Sequence, residues 1–247
     1  MDSVVRFELG EVRSALGSPS SSSASVAPTE GTGARPQIGR SRGWYSRGYV
    51  PHLDAQGVLQ SVTFRLADSL PQEKLRQLEL DLKELSEDEH YRVRRMQIES
   101  WLDSGMGCCA LQHPAIAETL ENALMHFDGE RYRLICWAIM PNHVHVVLEP
   151  LADLGRIVQS WKSFVARRAM ETKDRLALTI PGPRFWMRDY WDRYIRNEAH
   201  LRAVVEYVHQ NPVKAGLVEL SHEWRWSSAW RLGERTSWMT EGRRTGL

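Results

Sequence analysis

The stretch Trp137-Ala-Ile-Met-Pro-Asn-His-Val-His-Val-Val-Leu148 decides how this chain is read. It is largely apolar and β-branched, and Met140-Pro-Asn142 interrupts it as a short connection. Tyr132 to Ile139 and His143 to Glu149 therefore read as two strands. Side chains i and i+2 leave a strand on the same face. His143 and His145 thus point the same way, and Val144 points into the opposite layer. Two convergent neutral imidazoles begin a divalent-metal site. The plainer alternative is a pair of structural histidines with satisfied ring nitrogens.

A second segment offers what a lone histidine pair lacks. In His200-Leu-Arg-Ala-Val-Val-Glu-Tyr-Val-His-Gln-Asn-Pro212, the residues Leu201, Val204, Val205 and Val208 recur at helical spacing. Tyr207 and Asn211 are four apart and share one helix face. Pro212 predicts that the helix ends there, with Asn211 near its C-terminus. A phenol and an amide are held one turn apart, suited to a nucleophile beside a metal. The plainer readings are a core aromatic for Tyr207 and a helix-end cap for Asn211. Tyr190 and Tyr194 are rival nucleophiles. His200 is a possible DNA contact or support for the site, and His209 points elsewhere.

In order and spacing, several segments match one family: Met140-Pro-Asn-His-Val-His145, Phe185-Trp-Met-Arg-Asp-Tyr-Trp-Asp-Arg-Tyr-Ile-Arg196, Tyr207-Val-His-Gln-Asn-Pro-Val-Lys214 and Trp226-Ser-Ser228. Gly43 to Asp54 and Thr63 to Pro71 resemble one subgroup. The chain resembles the REP-associated tyrosine transposases, single-tyrosine endonucleases with a His-hydrophobic-His motif, related to small insertion-sequence transposases. The resemblance runs from about Gly43 to about Trp230. It implies a ferredoxin-like palm, Tyr207 as catalytic nucleophile, and Mg²⁺ or Mn²⁺ held by His143, His145 and Asn211. It also implies hairpin DNA as partner, a 5′-phosphotyrosine intermediate, and a self-contained monomer rather than a dimer. A non-catalytic hairpin-binding protein and a nuclease that uses metal-activated water are the alternatives.

The chain has 247 residues, enough for one domain with appendages, and its net charge is only +1. That charge is uneven. Residues 151–247 hold 17 Lys+Arg against 11 Asp+Glu, and residues 1–150 hold 15 against 20. A basic half that carries the tyrosine helix suits a phosphate-rich partner, although scattered surface charge gives the same count. Candidate phosphate contacts are Lys162, Arg167, Arg168, Arg188, Arg193, Arg196 and Lys214. Ten tryptophans are many. Most belong in a core, and one or two suit stacking on unpaired bases.

The three cysteines, Cys108, Cys109 and Cys136, form neither a disulfide framework nor a Cys-x-x-Cys zinc motif. With no membrane-spanning stretch and no signal-like segment, a cytoplasmic, nucleoid-associated location is expected. Residues 1–42 read as a low-complexity flexible tail, 43–232 as the functional domain, and 233–247 as a polar tail. Within the domain, Gln60 to Leu66 is a predicted strand. Helices are expected from Pro71, around Ile98 to Leu102, and from Pro114, making 71–127 a helical insertion. A further helix after Gly155 places Ile157, Trp161, Phe164 and Val165 inward, with Arg156, Lys162, Arg167 and Arg168 on its other face. Short strands and substantial helices give an α+β class, an antiparallel sheet covered by helices.

Overall fold

The structure is a computed structural model that describes residues 43–46, 51–54 and 56–233. The Ser-rich stretch and residues 234–247 lie outside the described residues. A two-stranded antiparallel hairpin, β1 (Gly43–Ser46) and β2 (Pro51–Asp54), precedes the main sheet. The sheet is built from β3 (Gln60–Arg65), β4 (Tyr132–Ile139), β5 (His143–Pro150) and β6 (Trp191–Tyr194). Its spatial order is β4-β5-β3-β6, and every pairing is antiparallel. The helices are α1 (Gln72–Asp81), α2 (Glu87–Asp103), α3 (Pro114–Met125), α4 (Leu154–Thr172) and α5 (Glu198–Lys214). With one crossover between β3 and β4 and another between β5 and β6, this is the split βαβ arrangement of the ferredoxin-like fold.

The central strand β5 is buried at all eight positions, which requires cover on both faces. The faces differ. Val144, Val146 and Leu148 pack with Val62 and Phe64 of β3 under α3 and α4. Val147 lies on the other face with Cys136 and Ala138 of β4, under Leu201 and Val208 of α5. The period-2 alternation of β5 thus separates a purely apolar layer from the layer that carries the histidines.

Local chemistry sets the helix ends. The Asp153 carboxylate caps α4 by accepting from Arg156 N at 2.8 Å, and Asn197 caps α5 by accepting from His200 N at 2.8 Å. Pro114 opens α3, where its missing N–H costs nothing. The Tyr132 hydroxyl ties the apolar layer together: it donates to Leu124 O of α3 at 2.8 Å and accepts from Trp161 Nε1 of α4 at 3.0 Å. At the exposed edge of β4, Ile139 N donates to Trp226 O at 2.9 Å and Trp137 N donates to Ser228 Oγ at 3.0 Å. The segment after α5 therefore closes an edge that would otherwise present unpaired backbone.

Three expectations need correction. Phe164 faces outward, 47% exposed, whereas Lys162 is buried at 6%. The Lys162 ammonium donates to the carbonyls of Met187 and Arg188 at 2.7 and 3.0 Å. The inward stripe of α4 runs through Ile157, Val158, Trp161, Lys162, Val165 and Ala169, and the 185–190 segment supplies the oxygens that make a buried ammonium tolerable. Lys162 holds the fold rather than offering a surface charge to a phosphate. Pro212 also does not stop α5, which continues to Lys214. A proline this close to the end gives up little of the hydrogen-bond ladder, and Asn211 still lies in the last turn. Finally, Trp191–Tyr194, read only as part of a motif, is a sheet strand.

Among the described residues, no helix is long and apolar enough to cross a membrane. Phe64 is fully buried between Trp161 and Trp186, with ring centroids at 6.3 and 5.1 Å. Phe64→Ala should lower stability by about 3–5 kcal/mol, as measured by chemical denaturation with an unchanged transition slope. A loss below about 1 kcal/mol would mean that this layer is not the core.

Candidate functional site

His143 and His145 leave β5 on the face opposite Val144 and are 1% and 2% exposed. Their Nε2 atoms lie 3.1 Å apart. The outer nitrogens are held separately: His143 Nδ1 lies 2.7 Å from Asn142 Oδ1, and His145 Nδ1 lies 2.9 Å from Thr63 Oγ1. Asn142 can be oriented from its partners. Its Nδ2 donates to Met106 O at 2.8 Å, so its Oδ1 accepts, and His143 must carry its proton on Nδ1. The Nε2 lone pair of His143 is therefore directed at His145. Without a cation, His145 must donate its own Nε2 proton to it and accept from the Thr63 hydroxyl at Nδ1. With a cation, the hydroxyl turns to accept and both lone pairs converge. Support of this kind from behind is what orients imidazoles as ligands.

Burial, foremost, drives both imidazoles towards the neutral form. His143 is held well below its ordinary range, with His145 and Arg65 adding to the effect. His145 is lowered to about 3, with Arg95 and Lys214 contributing. Neither competes for protons near neutral pH, as metal ligands require.

Helix α5 brings Tyr207 against this pair. Its ring meets the His145 ring edge-on, with centroids 5.4 Å apart. The Tyr207 hydroxyl and both amide atoms of Asn211, a residue 0% exposed, are buried without a well-formed hydrogen bond, although the Asn211 side chain lies near enough to the phenol to favour its ionised form. Orphaned buried polar atoms are rare and costly. Here the phenol lies against His145, whose Nε2 meets that of His143, and Asn211 follows one helical turn later. The 3.1 Å separation also suits adjacent ligands of an octahedral cation, since metal–ligand distances of about 2.1 Å place such neighbours about 3 Å apart. Among the described residues no group of three or more His, Cys, Asp or Glu could hold a metal ion, so a divalent cation here would rest on the two imidazoles and the Asn211 amide. Burial, then the carboxylates of Glu99 and Asp103, push the Tyr207 phenol well above its usual range.

The rival tyrosines do not reach this place. Tyr190 is buried in the apolar layer on the other face. Tyr194 pairs with Gln60, whose neighbour on β5 is Leu148, so its position belongs to the apolar face of the sheet.

The basic candidates divide. Lys214 is exposed at the end of α5, with Nζ 4.7 Å from the Tyr207 ring centroid. Arg193 lines a cavity of about 270 Å³, together with Thr63, Arg95, Trp191, His145 and Tyr207. Arg196 lies over the Tyr194 ring, and Arg188 is exposed in the loop that precedes β6. Arg167 and Arg168 ride on α4, the helix that covers the opposite face. His200 also lines the cavity, and its Nδ1 accepts from Arg196 N at 3.2 Å. His209 turns away to Ser228 Oγ at 2.8 Å.

Sequence reasoning passed over Thr63, Asn142 and Asp103. Asn142 stood in the quoted motif and Thr63 in the predicted β3 strand. Asp103 closes α2, and its Oδ1 lies 3.8 Å from His143 Nε2.

The resemblance read from sequence holds over this region. The family described as Transposase IS200 like matches residues 112–211, which include both histidines, Tyr207 and Asn211. A putative REP-associated tyrosine transposase of Haemophilus influenzae is 29% identical over 105 residues, covering 39% of this chain and 58% of the relative. The REP-associated tyrosine transposase of Escherichia coli is 24% identical over 112 residues, covering 45% of this chain and 63% of the relative. The chain thus spans about three fifths of the length of these two relatives. A solved structure of a REP-associated tyrosine transposase bound to a REP hairpin is 19% identical, with a TM-score of 0.43, covering 76% of this chain and 82% of that one.

The buried imidazoles predict a pH dependence. Both are lowered in the fold, whereas the unfolded chain takes up their protons near the ordinary value of 6.5. Stability is therefore full above that value and falls as pH drops from about 6.5 towards 3, by roughly 1 kcal/mol per pH unit for each imidazole. Urea midpoints of metal-free protein between pH 7.5 and 5 should fall, and more shallowly in His145→Gln. Equal slopes would contradict the assignment.

Proposed function

We propose that this chain is a metal-dependent endonuclease and strand transferase for single-stranded, hairpin-forming DNA, with Tyr207 as its nucleophile. The observation that carries this reading is the Tyr207 ring set edge-on to His145, its hydroxyl buried, one helical turn before Asn211. The likeness to transposases named for tyrosine and for REP elements supports the same reading.

His143, His145 and Asn211 would hold Mg²⁺ or Mn²⁺. When bound, such a cation polarises a phosphoryl oxygen and offsets the charge that builds there. Tyr207 Oη attacks phosphorus: the O–P bond forms, the phenol proton leaves, and the bond from phosphorus to the 3′ oxygen breaks. That oxygen departs as an alkoxide and takes up a proton to become the 3′-hydroxyl. The 5′ end stays on the protein as a phosphotyrosine, which conserves the bond energy. Attack by a different 3′-hydroxyl reverses the step and joins new ends without a nucleotide cofactor.

The chain's own residues prepare this chemistry. The edge of His145 and the fixed end of α5 limit the orientations of the phenol, which converts binding energy into alignment. The phenol stays protonated in the resting site, so it is not a standing nucleophile. The Lys214 ammonium above its ring favours negative charge there. Arg193, Arg95 and Trp191 around the adjoining cavity suit a phosphate chain and an unpaired base.

Tyr207→Phe should retain hairpin binding within about twofold and lose cleavage by at least about 10³-fold. The check is a denaturing gel of end-labelled hairpin DNA with Mn²⁺. Wild type should give a covalent protein–DNA band that the variant lacks. Cleavage without an adduct would point to water as the nucleophile. Tight binding with neither would point to a binding module.

A further inference from the structure

We infer that the cavity between α2, β6 and α5 is a subsite for one unpaired nucleotide next to the scissile phosphate, with its base stacked on Trp191 and its phosphate on Arg193. This deepens the strand-transferase reading given above and rests on it. The register of the sheet builds the floor. Thr63 pairs with His145 on one side and with Trp191 on the other, so the three side chains leave one face in a single row. Two residues along, Ser61 pairs with Val147 and with Arg193. Trp191 and Arg193 thus stand in successive rows on the face that carries the histidines.

The walls come from helices. On α5, His200, Ala203, Val204 and Tyr207 recur at three and four residues and line one side. On α2, Arg94, Arg95, Ile98 and Glu99 line the other. Helix α2 precedes residues 112–211, so this wall lies outside the region that matches the transposase family. The cavity of about 270 Å³ is smaller than the roughly 300–1,000 Å³ of sites for drug-sized ligands, so it suits one nucleotide rather than a run of strand. Tyr207 itself lines it, which ties that nucleotide to the phosphate that the phenol attacks.

The side chains sort into support and contact. Trp191 is half-buried, so part of its ring stays open. The Arg65 guanidinium, only 5% exposed, lies 5.7 Å from the Trp191 ring centroid and donates to Ser69 Oγ at 3.1 Å. An anchored cation against the ring makes it a fixed platform. Every base has a π-face, so stacking there needs no particular sequence. Arg94 is engaged by Glu79, and Arg95 by Glu99 at 2.7 Å. These pairs hold the α2 wall, and exposed Arg193 is the cation that meets a backbone phosphate.

The test is an abasic scan. Hairpin DNA with a single-stranded flank carries one abasic nucleotide, moved stepwise through the cleavage site. Affinity for the full chain is read by fluorescence anisotropy without divalent metal, and the cleaved bond is mapped on intact DNA with Mn²⁺. In wild type, the abasic nucleotide should weaken binding by at least about fivefold at one position flanking the scissile phosphate, and by less than about twofold elsewhere in the flank. That result does not depend on how any variant folds. On intact DNA, Trp191→Ala should lose a similar factor, and Trp191→Phe should keep most of the affinity. Trp191→Ala should also stop sensing the abasic position, a sensitivity that a purely structural tryptophan would leave in place. Arg193→Gln should weaken all these DNAs alike and lower the salt slope by about one. A wild-type scan with no sensitive position beside the cleaved bond, or a Trp191→Ala protein as sensitive as wild type, overturns the inference, while cleavage with its adduct leaves the strand-transferase reading standing. If wild type binds hairpin DNA and never cleaves it, that reading fails and this inference fails with it.

Discussion

Two imidazole nitrogens facing each other at 3.1 Å inside a protein core constrain everything around them. Burial denies them protons, and Asn142 and Thr63 hold their outer nitrogens. Such a pair is stable only with one proton shared between the rings or a cation between them. The unpaired Oδ1 of Asp103 lies 3.8 Å from His143 Nε2.

The fold makes this affordable. Strand β5 is central and covered on both faces, so one face can be wholly apolar while the other carries polar groups. The Phe64, Tyr132 and Trp161 layer under α3 and α4 provides the packing. The opposite face, under α5 and beside α2, is then free to hold histidines, a tyrosine and charge. The closing of the β4 edge by the 224–228 segment keeps the strand that flanks β5 from offering itself to another chain.

Much of this was legible because it is local. The shared face of His143 and His145 follows from strand geometry, and that of Tyr207 and Asn211 from helix geometry. The helices beginning near Gln72 and at Pro114 followed from prolines and apolar spacing. What was not legible depends on partners distant in sequence. Lys162 is buried because the carbonyls of Met187 and Arg188 reach it, which helix periodicity does not show. The short strand β6 carries Asp192 and Arg193 and exists because β3 offers it an edge. Asp103 reads as an ordinary helix-end residue until α2 is folded over the sheet.

The most direct test of the central claim is to locate the covalent bond. Protein reacted with hairpin DNA and Mn²⁺ would be trimmed with nuclease, digested with trypsin and sequenced by mass spectrometry. The peptide from Ala203 to Lys214 contains Tyr207 as its one tyrosine. The nucleotide mass should sit on that peptide, at Tyr207. A modified Tyr190 or Tyr194, or cleaved DNA with no modified tyrosine, would contradict the account.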